Sequence, residues 1–187
     1  LYDAKNAVML TGEISQDMFG GYNKLVLQYA DKGLAQNMVS QGGGWYDIWN
    51  VTDKAKGYRV INTGLIPLTE KFSINHVLTL GSADNTTEYT DNIKMVSLVG
   101  RAQYQFTDYV RAIGEVGGFY QKEKYNNDTN YKLSGEKYTV ALGLADGKEF
   151  MARPELRVFA SYLNASEGGK PFKDGTSKNT WNFGVQV

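Results

Sequence analysis

The sequence predicts an all-β fold made of long antiparallel strands, which form either a transmembrane barrel or a large soluble sandwich. The 187 residues include 13 Tyr and 21 Gly but only 3 Pro, a composition typical of long strands joined by turns rather than of a helical bundle. The segment 151–164 alternates at period two, with Arg153, Glu155 and Arg157 on one face and apolar residues on the other. A strand directs successive side chains to opposite faces, so this segment has one polar and one apolar wall.

Alternation of this kind predicts nine strands along the chain. The second is regular, since Tyr22, Lys24 and Gln28 share one face and Leu25 and Leu27 the other. Several strands reach ten or more residues, whereas soluble strands average about 5–6. In order, we expect strands over 1–14, 22–30, 58–66, 71–81, 94–106, 109–120, 133–144, 151–164 and 181–187.

The predicted connections alternate between short turns and long polar loops, which is the pattern of outer-membrane barrels. Short turns are expected after Pro67, at Thr107-Asp108 and at Asp146-Gly147, the last being a tight hairpin signal. Longer loops are expected over 31–56, 85–92, 121–130 and 165–178. The first of these contains Gly42–Gly44 followed by Trp45, Tyr46 and Trp49, and a loop of that length is usually functional or disordered.

The two architectures differ in which environment the apolar and polar walls of the strands face. In a barrel the apolar wall faces lipid and the charges line a wet lumen, whereas in a sandwich the apolar wall is the core. The sequence contains no apolar run of about 18 residues that would form a membrane-spanning helix. Aromatic pairs near strand ends, Tyr104 with Phe106 and Trp181 with Phe183, suit the interfacial girdle of a barrel. A soluble all-β domain, such as a carbohydrate-binding sandwich, remains the alternative.

Composition argues against several other functions. The formal net charge is zero, so a nucleic-acid partner, which requires a basic surface, is not expected. The chain has no Cys and a single His, His76, so a Cys-based zinc site is not expected. Asp and Asn residues cluster at 84–92 and 126–128 and could hold a calcium ion, but solvated polar loops are the expected structure, and neither a metal site nor a cofactor is predicted. A glycosidase would need two flanking carboxylates; Glu115 and Glu155 are candidates, but both share their faces with arginines, and an enzyme is therefore not expected.

Three stretches resemble the maltoporin family, the sugar-specific porins of the Gram-negative outer membrane, which include maltodextrin, sucrose and aryl-β-glucoside channels. They are G-Y-N-K-L-V-L-Q-Y-A at 21–30, the segment 151–164, and W-N-F-G-V-Q at 181–186. The similarity runs over nearly the whole chain. It implies an eighteen-stranded antiparallel barrel, of which residues 1–187 are the C-terminal half, assembled as a homotrimer in outer-membrane lipid. Both chain ends look cut, as expected for a fragment.

The resemblance also implies a passive channel for neutral sugars such as maltodextrins, sucrose or β-glucosides. In this family a line of aromatic side chains, the slide, stacks on the apolar face of the sugar while polar groups bind its hydroxyls. Tyr22 matches one slide position, although a girdle tyrosine is the alternative. A second slide position, often Trp, is here Met151, with Phe150 beside it. Arg153 and Glu155, next to Met151, are the charged residues expected to contact sugar; a general porin without sugar specificity is the alternative function.

Further charged residues have the parity of the polar wall. They are Arg59, Arg101, Arg111, Glu115 and Arg157. For each of these, pairing with an opposite charge on a neighbouring strand is expected more often than direct sugar contact.

Overall fold

The computed structural model describes residues 6–40, 51–167 and 179–187. The predictions for residues 1–5, for the glycine triplet with its neighbouring aromatic residues, and for most of the 165–178 loop fall outside these ranges. The described residues form nine strands and one short 3₁₀ helix, Lys32–Met38. The strands are β1 (Met9–Met18), β2 (Gly21–Asp31), β3 (Lys56–Pro67), β4 (Phe72–Thr87), β5 (Thr90–Gln105), β6 (Val110–Tyr125), β7 (Asn130–Ala145), β8 (Glu155–Glu167) and β9 (Asn179–Gln186).

All nine strands belong to one sheet, in which each strand pairs antiparallel with its neighbour in sequence from β1 to β9. This confirms the predicted all-β antiparallel fold and the number of strands. The described residues form no second sheet to pack against the first, as a sandwich requires. Among the same residues, no helix combines the length and apolar character needed to cross a membrane.

The register gives the sheet two chemically different faces. On the polar face, Arg101 on β5 is the partner of Glu115 on β6, which in turn is the partner of Thr139 on β7. On the apolar face, Val116 is followed across the sheet by Tyr138 and Tyr162. The apolar face is widely exposed in this chain, with Val140 66% accessible. The predicted parity of the strands is therefore confirmed.

Connections alternate between two edges of the sheet. The turn edge carries the connections 19–20, 68–71, 106–109 and 146–154. The opposite, loop edge carries 88–89 and 126–129 and, among the described residues, the start of the β2–β3 connection. Two of the turns use the same device. The hydroxyl of Thr69 accepts hydrogen bonds from the amides of Lys71 and Phe72, and the hydroxyl of Thr107 accepts them from Tyr109 and Val110. Such hydroxyl-capped turns hold the strand register without glycine.

Two predicted loops are wrong, because β4–β5 and β6–β7 continue as hairpins through residues 85–92 and 121–130. Polar side chains in these segments bond across the strands rather than to solvent alone. Asn92 donates to the carboxylate of Asp84, and Lys124 on β6 forms a 2.8 Å ion pair with Asp91 on β5. Where both faces of a hairpin are polar, the alternation that identifies a strand in sequence is absent.

The strands predicted over 151–164 and 1–14 also differ from the prediction at their boundaries. The strand expected over 151–164 begins at Glu155 and reaches Glu167, and the expected tight turn at Asp146-Gly147 is the longer connection 146–154. Arg153-Pro154 has a cis peptide bond in that connection. The first strand extends to Met18 rather than ending at Ile14, because Ser15–Asp17 pair fully with β2.

The 3₁₀ helix covers the polar face near the loop edge. Its Ala35 and Met38 are buried, and they lie against the backbone of Gly57 on β3 and Gly81 on β4. A Cβ at Gly81 would overlap the carbonyl oxygen of Met38, so only glycine allows this approach. The predicted 31–56 loop thus turns inward over the polar face in its first part.

The aromatic pairs singled out in the sequence lie on the apolar face in two groups. Tyr104 and Phe106 contact each other edge-on near the turn edge, with ring centroids 5.2 Å apart. Farther from that edge, Tyr162 lies 5.2 Å from Trp181, whose ring stacks on Phe183 at 6.1 Å. These two separated groups of aromatic side chains on one exposed apolar face match the arrangement expected of girdles at the two membrane interfaces.

Candidate functional site

Glu155 is the centre of a charged cluster on the polar face at the turn edge. Its side chain is only 3% exposed. Arg157 donates to both carboxylate oxygens, at 2.5 Å from Nε and 3.3 Å from Nη2, and Arg153 donates to Oε2 at 2.9 Å from Nη1. Both oxygens are therefore occupied, and the carboxylate orients two guanidinium groups. Arg153 is 58% exposed, so it is the member of the cluster that can reach a ligand.

Arg111 on β6 joins this cluster from the other side of β7. Its side chain is fully buried, and Gly143, its register partner on β7, leaves the space for it. The guanidinium donates to three backbone carbonyls of the 146–154 connection: Gly147 at 2.9 Å, Glu149 at 3.1 Å and Phe150 at 3.3 Å. This connection is therefore held on the polar face.

Met151 lies at the tip of the same connection. It is 56% exposed, whereas Phe150 is partly buried. Of the two residues considered for this slide position, Met151 is thus the more accessible. Its neighbour Ala152 is buried, and the amide of Ala152 bonds to the carbonyl of Glu149 at 3.0 Å. The thioether is presented by a turn rather than by the strand that the sequence predicted.

Tyr22 lies on the polar face, at the turn-edge end of β2. It is partly buried, and its register partners are Asp17 on β1 and Leu65 on β3. In the strand order, β2 is six positions from β8, so the structure does not bring Tyr22 into contact with the Glu155 cluster. The two sites share one face and one edge of the sheet.

Of the other charged residues predicted for the polar face, Arg101 and Glu115 pair with each other as expected, whereas Arg59 bonds to neutral groups. Arg101 and Glu115 form an ion pair at 2.7 Å with about a quarter of each side chain exposed. Arg59 donates to the amide oxygen of Gln28 at 2.7 Å and to the carbonyl of Asn37 at 2.9 Å, which ties β3 to the 3₁₀ helix. Glu115 and Glu155 are thus each engaged by arginine, and neither is arranged as the free acid that glycoside hydrolysis requires.

Two aromatic residues of the polar face were missed in the sequence. Phe119 on β6 contacts its register partner Gly135, and Phe159 on β8 contacts its register partner Gly184. A Cβ at Gly184 would lie 2.8 Å from the ring of Phe159. The position of Phe159 on the polar face could have been predicted from the sequence, since it has the same parity as Arg157. The glycine that lies beneath each ring is known only from the strand register.

Comparison with known proteins identifies the family of the chain. The sequence profile of the LamB porin family matches residues 2–187. The chain is 80% identical over 187 residues to Maltoporin 2 of Yersinia pestis (strain Pestoides F) and 79% identical to Maltoporin 1 of Klebsiella pneumoniae subsp. pneumoniae. Maltoporin 1 of Aeromonas salmonicida is 53% identical over 188 residues.

The whole chain is covered in each comparison, together with 45%, 44% and 44% of the respective relatives. The chain therefore spans less than half the length of these relatives, and it matches their C-terminal portion. The expected resemblance is confirmed. The chain belongs to the LamB porin family, the outer-membrane porins of Gram-negative bacteria.

Proposed function

We propose that this chain forms part of a sugar-selective channel for the passive diffusion of neutral oligosaccharides across the outer membrane. In this proposal the polar face lines the lumen and the apolar face meets lipid or neighbouring subunits of a homotrimer. Maltodextrins, sucrose and β-glucosides are the substrate class. The relatives named maltoporin support this assignment by family.

The observation that carries the proposal is that both signs of charge occur side by side on the polar face. Arg101 is neutralised by Glu115, and two arginines share Glu155. Guanidinium groups beside carboxylates offer both donors and acceptors to uncharged hydroxyl groups. This favours a neutral sugar over an ionic solute.

In the proposed path, the sugar contacts Tyr22 and Met151, which both lie at the turn edge of the polar face. A pyranose ring has an apolar face that can stack on the ring of Tyr22 and contact the thioether of Met151. Arg153 would donate hydrogen bonds to the hydroxyls, and Glu155 would hold Arg153 in place. Phe150 is a weaker contact because it is partly buried. Each contact has to be weak, since a sugar that enters must also leave.

Single-channel recording of the full-length porin that contains this chain tests the proposal. The channel is inserted into a planar bilayer and titrated with maltose, maltotriose and sucrose. Saturable block, with conductance closing in three equal steps, is the expected result and would rank the sugars. Three steps without block would replace the proposal by a general porin, and an absence of steps would contradict the channel itself.

A further inference from the structure

The 146–154 connection is attached to the polar face chiefly through one side chain. Three of its carbonyls, those of Gly147, Glu149 and Phe150, converge on the guanidinium of Arg111 within 3.3 Å. Two backbone hydrogen bonds lie at the ends of the connection. The amide of Asp146 donates to the carbonyl of Pro154 at 3.1 Å, and the amide of the preceding residue, Ala145, donates to the carbonyl of Tyr109 at 2.8 Å. The central residues therefore depend on Arg111 for their position against the sheet.

The chemistry suits a fixed anchor. A guanidinium group is planar, permanently charged and carries its donors in a rigid fork. Hydrogen bonds that involve a charged donor are stronger than neutral ones, and these are shielded from water because Arg111 is fully buried. A lysine at this position would have one ammonium group and could not reach three carbonyls in the same way.

The buried positive charge has a counter-charge in the same cluster. A Cβ at Gly143 would be 2.9 Å from Oε1 of Glu155 and 3.1 Å from Cγ of Arg111, so both side chains pack over this one glycine. Glu155 in turn holds Arg153 and Arg157. Arg111, which holds the connection, and Glu155, which holds the exposed Arg153, therefore pack against each other over Gly143.

We propose that Arg111 is a positioning residue for the sugar path, which fixes the 146–154 connection on the polar face and so sets the location of Met151 and Arg153. This inference rests on the proposed function for its sugar-binding consequence. It assigns to Arg111 no contact with sugar. The fixing of the connection stands on the hydrogen bonds alone and can be tested without any ligand.

Site-directed spin labelling of the full-length porin measures the fixing directly. The chain contains no cysteine, so Met151→Cys, with any cysteine outside this chain replaced, gives one labelled site. We expect the label to become several-fold more mobile in Arg111→Met and also in Arg111→Lys, which keeps the charge but loses the fork. Unchanged mobility at residue 151 in both variants would overturn the proposal.

Two controls separate a local effect from general loosening. Arg101→Met removes another arginine of the polar face, whose guanidinium bonds to Glu115 rather than to the connection, and we expect it to leave the label at residue 151 as ordered as before. A label at Thr139→Cys, on β7 itself, should not respond to Arg111→Lys. Equal loosening at both labels would show that the strand has opened, which would contradict a positioning role.

The effect of Arg111 on sugar affinity is measured separately, in the channel without a spin label. We expect Arg111→Lys to raise the maltotriose Kd from current block several-fold, with a smaller change in open-channel conductance. If the native channel is blocked by maltotriose and the variant has the same Kd, the link between Arg111 and the sugar path is wrong. If the native channel is not blocked at all, the proposed function fails, while the label still decides whether Arg111 fixes the connection.

Discussion

Arg101 on β5 donates two hydrogen bonds to one carboxylate oxygen of Glu115, its register partner on β6, at 3.0 Å from Nε and 2.7 Å from Nη2. Both side chains are about one-quarter exposed, so the pair is solvated and contributes about 1 kcal/mol or less to stability. Its main effect is on the charge of the polar face.

Glu115→Gln should therefore make the channel more anion-selective, because Arg101 loses its neutralising partner. The reversal potential in a salt gradient measures this change, and unfolding in urea should shift by less than about 1 kcal/mol. Thr139→Val, at the neighbouring register position, alters no charge and serves as the control. An unchanged reversal potential would show that the pair does not face the ion path.

Removal of the Tyr22 ring tests the first slide position. Tyr22→Ala should weaken sugar block by about 0.5–1.5 kcal/mol, or roughly two- to twelve-fold in Kd, while ion conductance stays nearly the same. Tyr29→Ala is a matched control, since Tyr29 lies on the same strand but on the apolar face, against Tyr58. Unaltered sugar affinity in Tyr22→Ala would remove Tyr22 from the site.

Gly143 tests the packing of the charged cluster. Gly143→Ala should destabilise the folded barrel by about 1–3 kcal/mol, because the added methyl group meets Glu155 and Arg111 in a space already filled. Unfolding in urea, followed by tryptophan fluorescence in lipid, measures the change. Gly114→Ala on β6 is the control, since a Cβ there has no heavy atom within 4 Å. If both variants lose the same stability, the loss results from replacing a strand glycine in general and not from the packing at Gly143.

The 3₁₀ helix gives a prediction about conductance. Gly81→Ala places a methyl group where it would overlap the carbonyl oxygen of Met38, so the helix has to move away from the polar face. A helix displaced from the polar face moves toward the proposed lumen, so we expect single-channel conductance to decrease. Gly100→Ala, where the Cβ would have open space, should conduct like the native channel. Identical conductance in Gly81→Ala would place the helix outside the path.

The orientation of the two faces can be tested with one charge placed on either side of β7. Val140→Arg puts a cation on the apolar face and should destabilise the barrel by about 2–4 kcal/mol if that position lies near the bilayer midplane. Thr139→Arg, one residue away on the polar face, should cost much less. Stability in phospholipid vesicles measures both, and the reverse order would invert the assignment of the faces.

Parity in the sequence was sufficient to predict the strands and their two faces. The side-chain period of a strand is two, so Arg157 and Val158 must lie on opposite faces wherever the strand is placed. The same rule put Tyr22 and Arg101 on one wall. The expectation failed over 85–92 and 121–130, because polar residues on both faces remove the alternation while cross-strand bonds such as Lys124–Asp91 still hold the hairpin.

The sequence by itself therefore determined the strand number, the polar and apolar walls and the family resemblance, because these follow from local periodicity and short motifs. Only the tertiary structure showed that Arg111 reaches carbonyls 36 to 39 residues away, that Glu155 is buried between arginines, and that Phe159 lies over Gly184. Such contacts depend on strand register and on the path of the 146–154 connection. Register is a property of paired strands, and no single strand encodes it.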